Sequence, residues 1–322
     1  MSVRPSGSRL RILFAGTSDI GIPSLRFLAA EHNLVGVLSQ PDRPAGRHRE
    51  LKPPAIKEES LRIDPMIPLL QPESPRLPGV REWVETLLPE VIVTMSYGRI
   101  LPPELLEAPS VACLNVHASL LPRHRGASPI QAAIAAGYRE SGITIMHMAE
   151  GLDTGDLILE RRISLKRRET AGSLSERLGI LAPKALSEAL DLLSRGKAPR
   201  IAQDHHLATV TGKITREDCL LDWKFSARDL ECLIRSLQPR PSAFAALPLT
   251  SGEFVPIKIH SAIVDRRAKG IPGTIIRSDS RGILVACGQG GLLLGVIQPE
   301  GKGRMSSAAF ARGYDLKLHT QV

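Results

Sequence analysis

The residues best suited to chemistry lie in Leu114-Asn115-Val116-His117-Ala118-Ser119-Leu120-Leu121-Pro122. On a strand, Asn115 and His117 are two apart and point to one face. At the carboxyl end of a central strand of an α/β sheet, that face opens on the crevice where ligands bind. An amide donor beside an imidazole suits acyl transfer, one group stabilising an oxyanion while the other moves protons. Asn-x-His is also a common structural spacing, so the pair alone does not make a site. A second segment, Glu150-Gly151-Leu152-Asp153-Thr154-Gly155-Asp156, packs two glycines and two aspartates into one tight loop. Such a loop can bring a carboxylate into the same crevice, to orient His117 and take up a proton. Its alternative reading is a solvated turn whose aspartates cap their own backbone.

These residues need strands and helices to hold them. The run Leu10–Gly16 reads as a strand, Ile20–Ala30 as a helix and Leu34–Leu38 as a strand. Further strands are expected at Val91–Met95, Ala112–His117 and Ile143–Met148. Helices are expected at Pro102–Glu107, Ile130–Ala136 and Ala171–Ser194, the last stopping at Arg195-Gly196. Strands alternating with helices imply a doubly wound, Rossmann-like parallel sheet over residues 1–197. Residues 198–213 read as a linker, with Pro199, Gly212 and little helical period. Residues 214–322 then hold a helix at Ala227–Ser236 and short apolar runs at Val255–Ile263, Gly273–Ile276, Gly282–Ala286 and Leu292–Ile297. Runs of that kind predict a small OB-like β-barrel.

Gly16-Thr17-Ser18-Asp19-Ile20-Gly21 imitates a dinucleotide fingerprint, but Ser18 stands where the second glycine should let the backbone approach a pyrophosphate. The next strand ends at Ser39-Gln40, with no acidic residue for a ribose hydroxyl. A glycine turn closing a strand onto a helix explains the segment better.

The chain carries 42 Lys+Arg against 33 Asp+Glu, a formal net charge of +9. Residues 1–209 hold 26 basic and 23 acidic side chains (+3), and residues 210–322 hold 16 and 10 (+6). The smaller domain is therefore the better candidate to face a polyanion. Aromatic residues are only 3% of the chain, which argues against base stacking as the main binding device. Cys113, Cys219, Cys232 and Cys287 form no C-x-x-C pair and no zinc-finger spacing, so reduced, buried thiols and no metal are expected. Met1–Leu10 lacks an apolar signal core and no run is long enough to span a bilayer, so the expectation is a soluble, cytoplasmic protein without membrane partners.

Asn115-x-His117 with Ser119-Leu120-Leu121-Pro122, and Gly151-Leu152-Asp153-Thr154-Gly155-Asp156 downstream, resembles the formyltetrahydrofolate-dependent formyltransferase family. Gln40-Pro41-Asp42-Arg43-Pro44-Ala45-Gly46-Arg47 is similar to a loop found in the branch acting on methionyl-tRNA. Ser96-Tyr97-Gly98, Arg125-Gly126-Ala127, Thr144-Ile145-Met146, Asp222-Trp223 and Gln298–Lys302 fit the family as well. The likeness runs from about Leu10 to about Gly313.

It implies a Rossmann-like domain that takes 10-formyltetrahydrofolate as formyl donor and a β-barrel that helps hold initiator methionyl-tRNA. It implies Asn115, His117 and Asp153 as catalytic residues and Ser119, Leu120, Leu121 and Pro122 as the pterin-side wall. Arg43 is the expected contact to the acceptor end of the tRNA and Lys213 a candidate phosphate contact. The basic run Arg161, Arg162, Lys166, Arg167 and Arg168 reads as a solvated face. The resemblance further implies a monomer. Departures fall at His124, where tryptophan is usual, at His147 and Ala149, at Gln238–Pro241 and at Val210–Lys213, none of them one of the three catalytic positions. A sugar-nucleotide amine or water are the rival acceptors for the same chemistry, and an idle RNA-binding module is the rival of another class.

Overall fold

The computed structural model describes residues 9–45 and 50–318. Packing divides the chain into two units. The first comprises the described residues of Met1–Pro129, Glu140–Ser164 and Ser175–Thr211; the second comprises those of Ile130–Arg139, Leu165–Leu174 and Gly212–Val322.

The first unit opens with β1 (Arg11–Gly16), α1 (Ile22–Glu31), β2 (Asn33–Leu38), the hairpin β3 (Arg43–Ala45) and β4 (Glu50–Lys52), α2 (Ala55–Ile63) and β5 (Leu69–Leu70). It continues through α3 (Pro78–Leu87), β6 (Val91–Met95), α4 (Pro103–Leu106), β7 (Ala112–His117) and β8 (Arg125–Gly126). Helix α5 (Pro129–Ala135) leads out of it, β9 (Glu140–His147) and β10 (Leu157–Ser164) return to it, α6 (Ala171–Ser194) follows, and β11 (Val210–Thr211) ends it.

Seven strands form one sheet in the order β10-β9-β7-β6-β1-β2-β5. β1, β2, β5, β6 and β7 pair in parallel. β1 and β6 are apolar and buried almost throughout, as strands covered on both faces must be. The sheet is not wholly parallel, however, for β9 pairs antiparallel with β7 and β10 antiparallel with β9. The segment from Met148 to Asp156 is too short for a crossover, so β10 can only fold back beside β9. That short return is the loop carrying Asp153.

The segment read as a linker over 198–213 is bonded to the first unit for most of its length. Ile201 exchanges backbone hydrogen bonds with Leu157, and β11 runs parallel to β8. Periodicity could not reveal this, because the contacts are two-residue bridges.

The second unit contains α7 (Ala227–Ser236), β12 (Ala243–Pro248), β13 (Phe254–Ile259), β14 (Ala262–Asp265), β15 (Ile275–Asp279), β16 (Gly282–Ala286), β17 (Gly291–Leu294), β18 (Val296–Pro299), β19 (Met305–Ser306) and α8 (Ser307–Gly313). Its strands form two four-stranded antiparallel sheets, β12-β13-β18-β19 and β14-β17-β16-β15. The two long apolar runs of the sequence each split across both sheets: Val255–Ile263 between β13 and β14, and Leu292–Ile297 between β17 and β18. Trp223, Leu230, Ile234, Ile257, Ile283 and Phe310 share its core. Ser226 caps α7 by accepting from the Asp229 N–H at 3.1 Å. Ala227, Leu230 and Ile234 turn inward on that helix, which leaves Arg228, Glu231, Cys232 and Arg235 on another face.

All four cysteines are free and buried. Burial pushes the Cys113 thiol up to about 12 and the Cys287 thiol up to about 11, so neither is a nucleophile near neutral pH. Among the described residues no helix is long and apolar enough to cross a membrane, and no group of three or more His, Cys, Asp and Glu is arranged to hold a metal.

Candidate active site

Asn115 and His117 occupy the last turns of the pleat in β7, on the same side, as their spacing requires. The Asn115 amide is oriented from both ends. Thr94, on neighbouring β6, donates its hydroxyl to Asn115 Oδ1 at 2.9 Å, and Asn115 Nδ2 donates to Asp153 Oδ1 at 3.0 Å. A carboxylate can only accept, so the amide nitrogen must be the atom that faces Asp153. One N–H of that nitrogen remains for a ligand oxygen.

His117 is buried, at 6% exposure. Its Nε2 lies 2.9 Å from the backbone carbonyl of His124. A carbonyl cannot donate, so Nε2 carries a hydrogen and the tautomer is fixed. Nδ1 then faces Asp153 Oδ2 at 3.6 Å, longer than a hydrogen bond. Asp153 therefore takes its hydrogen bonds elsewhere: from Asn115, and from the Gly126 N–H to Oδ2 at 2.7 Å. The expected carboxylate–imidazole neighbour is present, as a charge beside the ring rather than a direct bond to it.

Two glycines make this possible. Asp153 sits at φ 52°, a left-handed conformation that aspartate tolerates, inside the loop closed by Gly155. A Cβ on Gly155 would lie 1.8 Å from the His147 carbonyl oxygen. At Gly126, φ is 104° and a Cβ would meet the Thr211 carbonyl at 2.3 Å. Only glycine allows β8 to approach β11 while its N–H serves Asp153.

The loop after β7 is braced from below. Ser119 is buried and donates its hydroxyl to the Arg123 carbonyl at 2.7 Å. Thr144 donates to the Ser119 carbonyl at 2.7 Å and accepts from the Leu121 N–H at 3.2 Å. Leu121 is buried, while Leu120 and Pro122 are half-buried. Residues that sequence reasoning gave no role also converge here: Thr94, Arg125, Gly126, Gln203 and Thr209. Arg125-Gly126 stands in a recognisable motif, but Gln203 lies far from the motif in sequence and carried no signal.

His124 and His147 lie close by. Burial lowers both imidazole pKa values, helped at His124 by Arg123 and His117 and at His147 by Arg200, with a backbone bond to Pro199 and Asp156 acting against it. Both rings are held towards the neutral form.

Arg43 lies on a short hairpin rather than in an irregular loop, and its Nη2 contacts Glu73 at 2.6 Å with both side chains more than half exposed. Gly46 and Arg47 of that segment lie outside the described residues. Lys213 is exposed at the start of the second unit.

A cavity of about 680 Å³ is lined wholly by residues of the second unit. Arg139, Lys166, Arg167, Arg168, Arg228 and Arg266 line it, and none of the six makes an ion pair among the described residues. Its one carboxylate, Glu231, is engaged by Arg235 at 2.7 Å. The basic run of the sequence thus divides. Arg161 pairs with Glu188, and Arg162 with Glu140 and Glu160, as a solvated face would. Lys166, Arg167 and Arg168 instead join a concave cluster of one sign.

Comparison with known proteins places the chain in a family. The profile described as Formyl transferase matches residues 11–190, and that described as Formyl transferase, C-terminal domain, matches residues 213–315. Methionyl-tRNA formyltransferase of Methylacidiphilum infernorum (isolate V4) is 41% identical over 314 residues, 97% of each chain. Its counterpart in Bacillus subtilis (strain 168) is 42% identical over 305 residues, 94% of each. Among solved structures, HypX from Aquifex aeolicus in complex with tetrahydrofolic acid superposes with a TM-score of 0.61 at 18% identity, over 94% of this chain. This chain spans 47% of the length of that one, and at such identity the likeness concerns the fold.

Proposed function

The chain belongs to the formyl transferase family, and from that premise we propose that it moves the formyl group of 10-formyltetrahydrofolate to the amino group of methionyl-tRNA. The product is formylmethionyl-tRNA for translation initiation. The observation that carries the residue assignment is the three-sided fixation of Asn115, His117 and Asp153.

In the reaction the amine forms a bond to the formyl carbon, the bond from that carbon to the folate nitrogen breaks, and one proton passes from the amine to the leaving nitrogen. Negative charge builds on the formyl oxygen between these events. Asn115 holds its remaining amide N–H for that oxygen, and Thr94 and Asp153 keep the amide from rotating. His117 can move a proton only through Nδ1, because Nε2 is committed to the His124 carbonyl. The Asp153 carboxylate stands 3.6 Å from Nδ1, beside the one ring atom through which the proton can pass. Leu120 and Pro122 supply the apolar wall for the folate ring, with Ser119 and Leu121 shaping it from beneath.

The acceptor RNA is held by charge. The cationic cavity of the second unit supports phosphate binding, and Arg43 reaches the acceptor end by exchanging Glu73 for RNA. Lys213 adds one further phosphate contact. The enzyme works as a monomer in the cytoplasm and prefers the initiator form of the tRNA.

Formyl transfer to initiator methionyl-tRNA, to elongator methionyl-tRNA and to water, measured side by side, tests this reading. Product on the initiator is expected, with little on the elongator and little free formate. Formate release without acceptor, or modification of a sugar amine instead, would overturn the acceptor.

A further inference from the structure

We propose that Gln203 is a positioning residue of the active site, locking the Asp153 loop against Arg125 from fifty residues downstream; this rests on Asp153 being catalytic. Gln203 is buried, at 6% exposure. Its Nε2 donates to the Asp153 carbonyl at 2.9 Å and to the Gly155 carbonyl at 2.7 Å. Those two carbonyls make no other hydrogen bond among the described residues. One amide with two N–H groups thus matches two acceptors at the bend of the loop, on either side of Thr154.

The other end of the side chain is fixed as firmly. Gln203 Oε1 accepts from Arg125 Nε at 3.1 Å and from Nη2 at 2.7 Å. Arg125 is also 6% exposed, and its guanidinium has no carboxylate partner among the described residues. Its Nη1 and Nη2 also reach His205 Nδ1, each at 3.2 Å. A buried cation is retained against its desolvation only where its donors are satisfied. Here Gln203 and His205, two residues apart on the same segment, engage all three of its nitrogens.

The same segment reaches His117 by a second route. Thr209 Oγ1 accepts from the His124 N–H at 2.8 Å, and the Thr209 carbonyl accepts from the Arg125 N–H at 2.8 Å. The His124 carbonyl is the acceptor that sets the His117 tautomer. Residues 203–209 therefore hold both the carboxylate and the imidazole in register.

Gln203→Glu tests the proposal, because a carboxylate still accepts from Arg125 but cannot donate to the loop carbonyls. We expect kcat to fall about tenfold to a hundredfold, the effect of a misplaced catalytic group, with the KM for either substrate unchanged within about threefold and a melting temperature close to that of the parent. The Gly126 amide, which donates to Asp153 Oδ2, reports carboxylate position directly. Its hydrogen exchange, read in protein labelled with 15N-glycine, should accelerate. Asp153→Asn should lower kcat further, and adding Gln203→Glu to it should change nothing more, since both act through one group. Arg125→Lys, which keeps the charge without the fork, should lose kcat in the same direction if the glutamate variant does not fold. Parent kcat in these variants, or full additivity with Asp153→Asn, would overturn the proposal. A fully active Asp153→Asn would instead overturn the site reading, and the Gly126 amide would still decide whether Gln203 holds the loop.

Discussion

The active site and the cationic cavity are polar regions built on opposite plans. At the first, every group is fixed by at least one neighbour: Thr94 on Asn115, the His124 carbonyl on His117, Asn115 and Gly126 on Asp153. At the second, six cationic side chains stand on the wall without ion-pair partners among the described residues. Bond making needs donors already aimed where charge develops, because reorienting them would add to the barrier. Holding a polyanion needs charge density, and long side chains can adapt to phosphate positions that vary. In the proposed function this contrast corresponds to turnover at one region and affinity at the other.

Asn115→Ala should break the first half of that assignment if it is wrong. Loss of one oxyanion donor lowers kcat by about a hundredfold to a thousandfold. Folate and RNA affinity should stay near the parent values, because the removed contact strengthens only as the formyl oxygen gains charge. Steady-state kinetics with each substrate varied separately measures this. A rise in KM with kcat intact would mean that Asn115 binds ground state rather than transition state.

Reversing charge in the cavity should produce the opposite pattern. With Arg167 and Arg168 both changed to Glu, we expect tRNA affinity to drop by more than about tenfold, with folate affinity untouched. Each lost phosphate contact should also flatten the dependence of log affinity on log salt by roughly 0.7–0.9. Titrations at several salt concentrations measure the slope. An unchanged slope would remove the cavity from RNA binding and leave Arg43 and Lys213 to account for it. Arg43→Ala sharpens the comparison, since that side chain is tied to an exposed glutamate: tRNA affinity should fall by less than in the double reversal, and folate binding not at all.

Legibility in the sequence followed the same division. Strand β7 and helices α6 and α7 were readable to the residue, because apolar spacing and stop signals mark them. Asn115 and Asp153 were recognisable from a motif, and their meeting at 3.0 Å follows from the short return between β9 and β10. Helices α2 and α3 passed unread, because α2 follows Pro54 and α3 opens on Pro78, and charged residues interrupt their apolar spacing. The direction of β9 was also hidden, since this strand is buried on both faces and so lacks the alternation that marks many antiparallel strands. Gln203 was invisible for a different reason: a polar residue in an irregular segment gains meaning only from the carbonyls it finds in the fold. The cavity could not be foreseen, because a linear run of basic residues does not show that Arg139, Arg228 and Arg266 gather round Lys166, Arg167 and Arg168.

The smallest expected effect concerns stability rather than turnover, and it separates the two units. Among the described residues, burial is the leading cause that lowers the pKa of His32, His124 and His147 in the first unit, but of His260 alone in the second. A histidine whose folded pKa lies below its ordinary value of about 6.5 binds fewer protons folded than unfolded just below that pH. Its contribution is complete above the ordinary value and is lost as pH falls through the folded one. Asp42, held by Lys57 and Gln71, and Glu59, held by Arg26, shift downward too, but stay ionised in both states at such pH and matter only in stronger acid. Thermal unfolding between pH 7.5 and 5.5 should therefore show a falling midpoint, carried mainly by the first unit. His147→Gln removes one of these groups together with a ring nitrogen, Nε2, that has no hydrogen-bond partner among the described residues. The variant should show a shallower pH dependence and a midpoint at pH 7.5 no lower than the parent's. A slope unchanged by the substitution would mean that His147 titrates alike in the folded and unfolded chain, and that its ring is better hydrated than its burial implies.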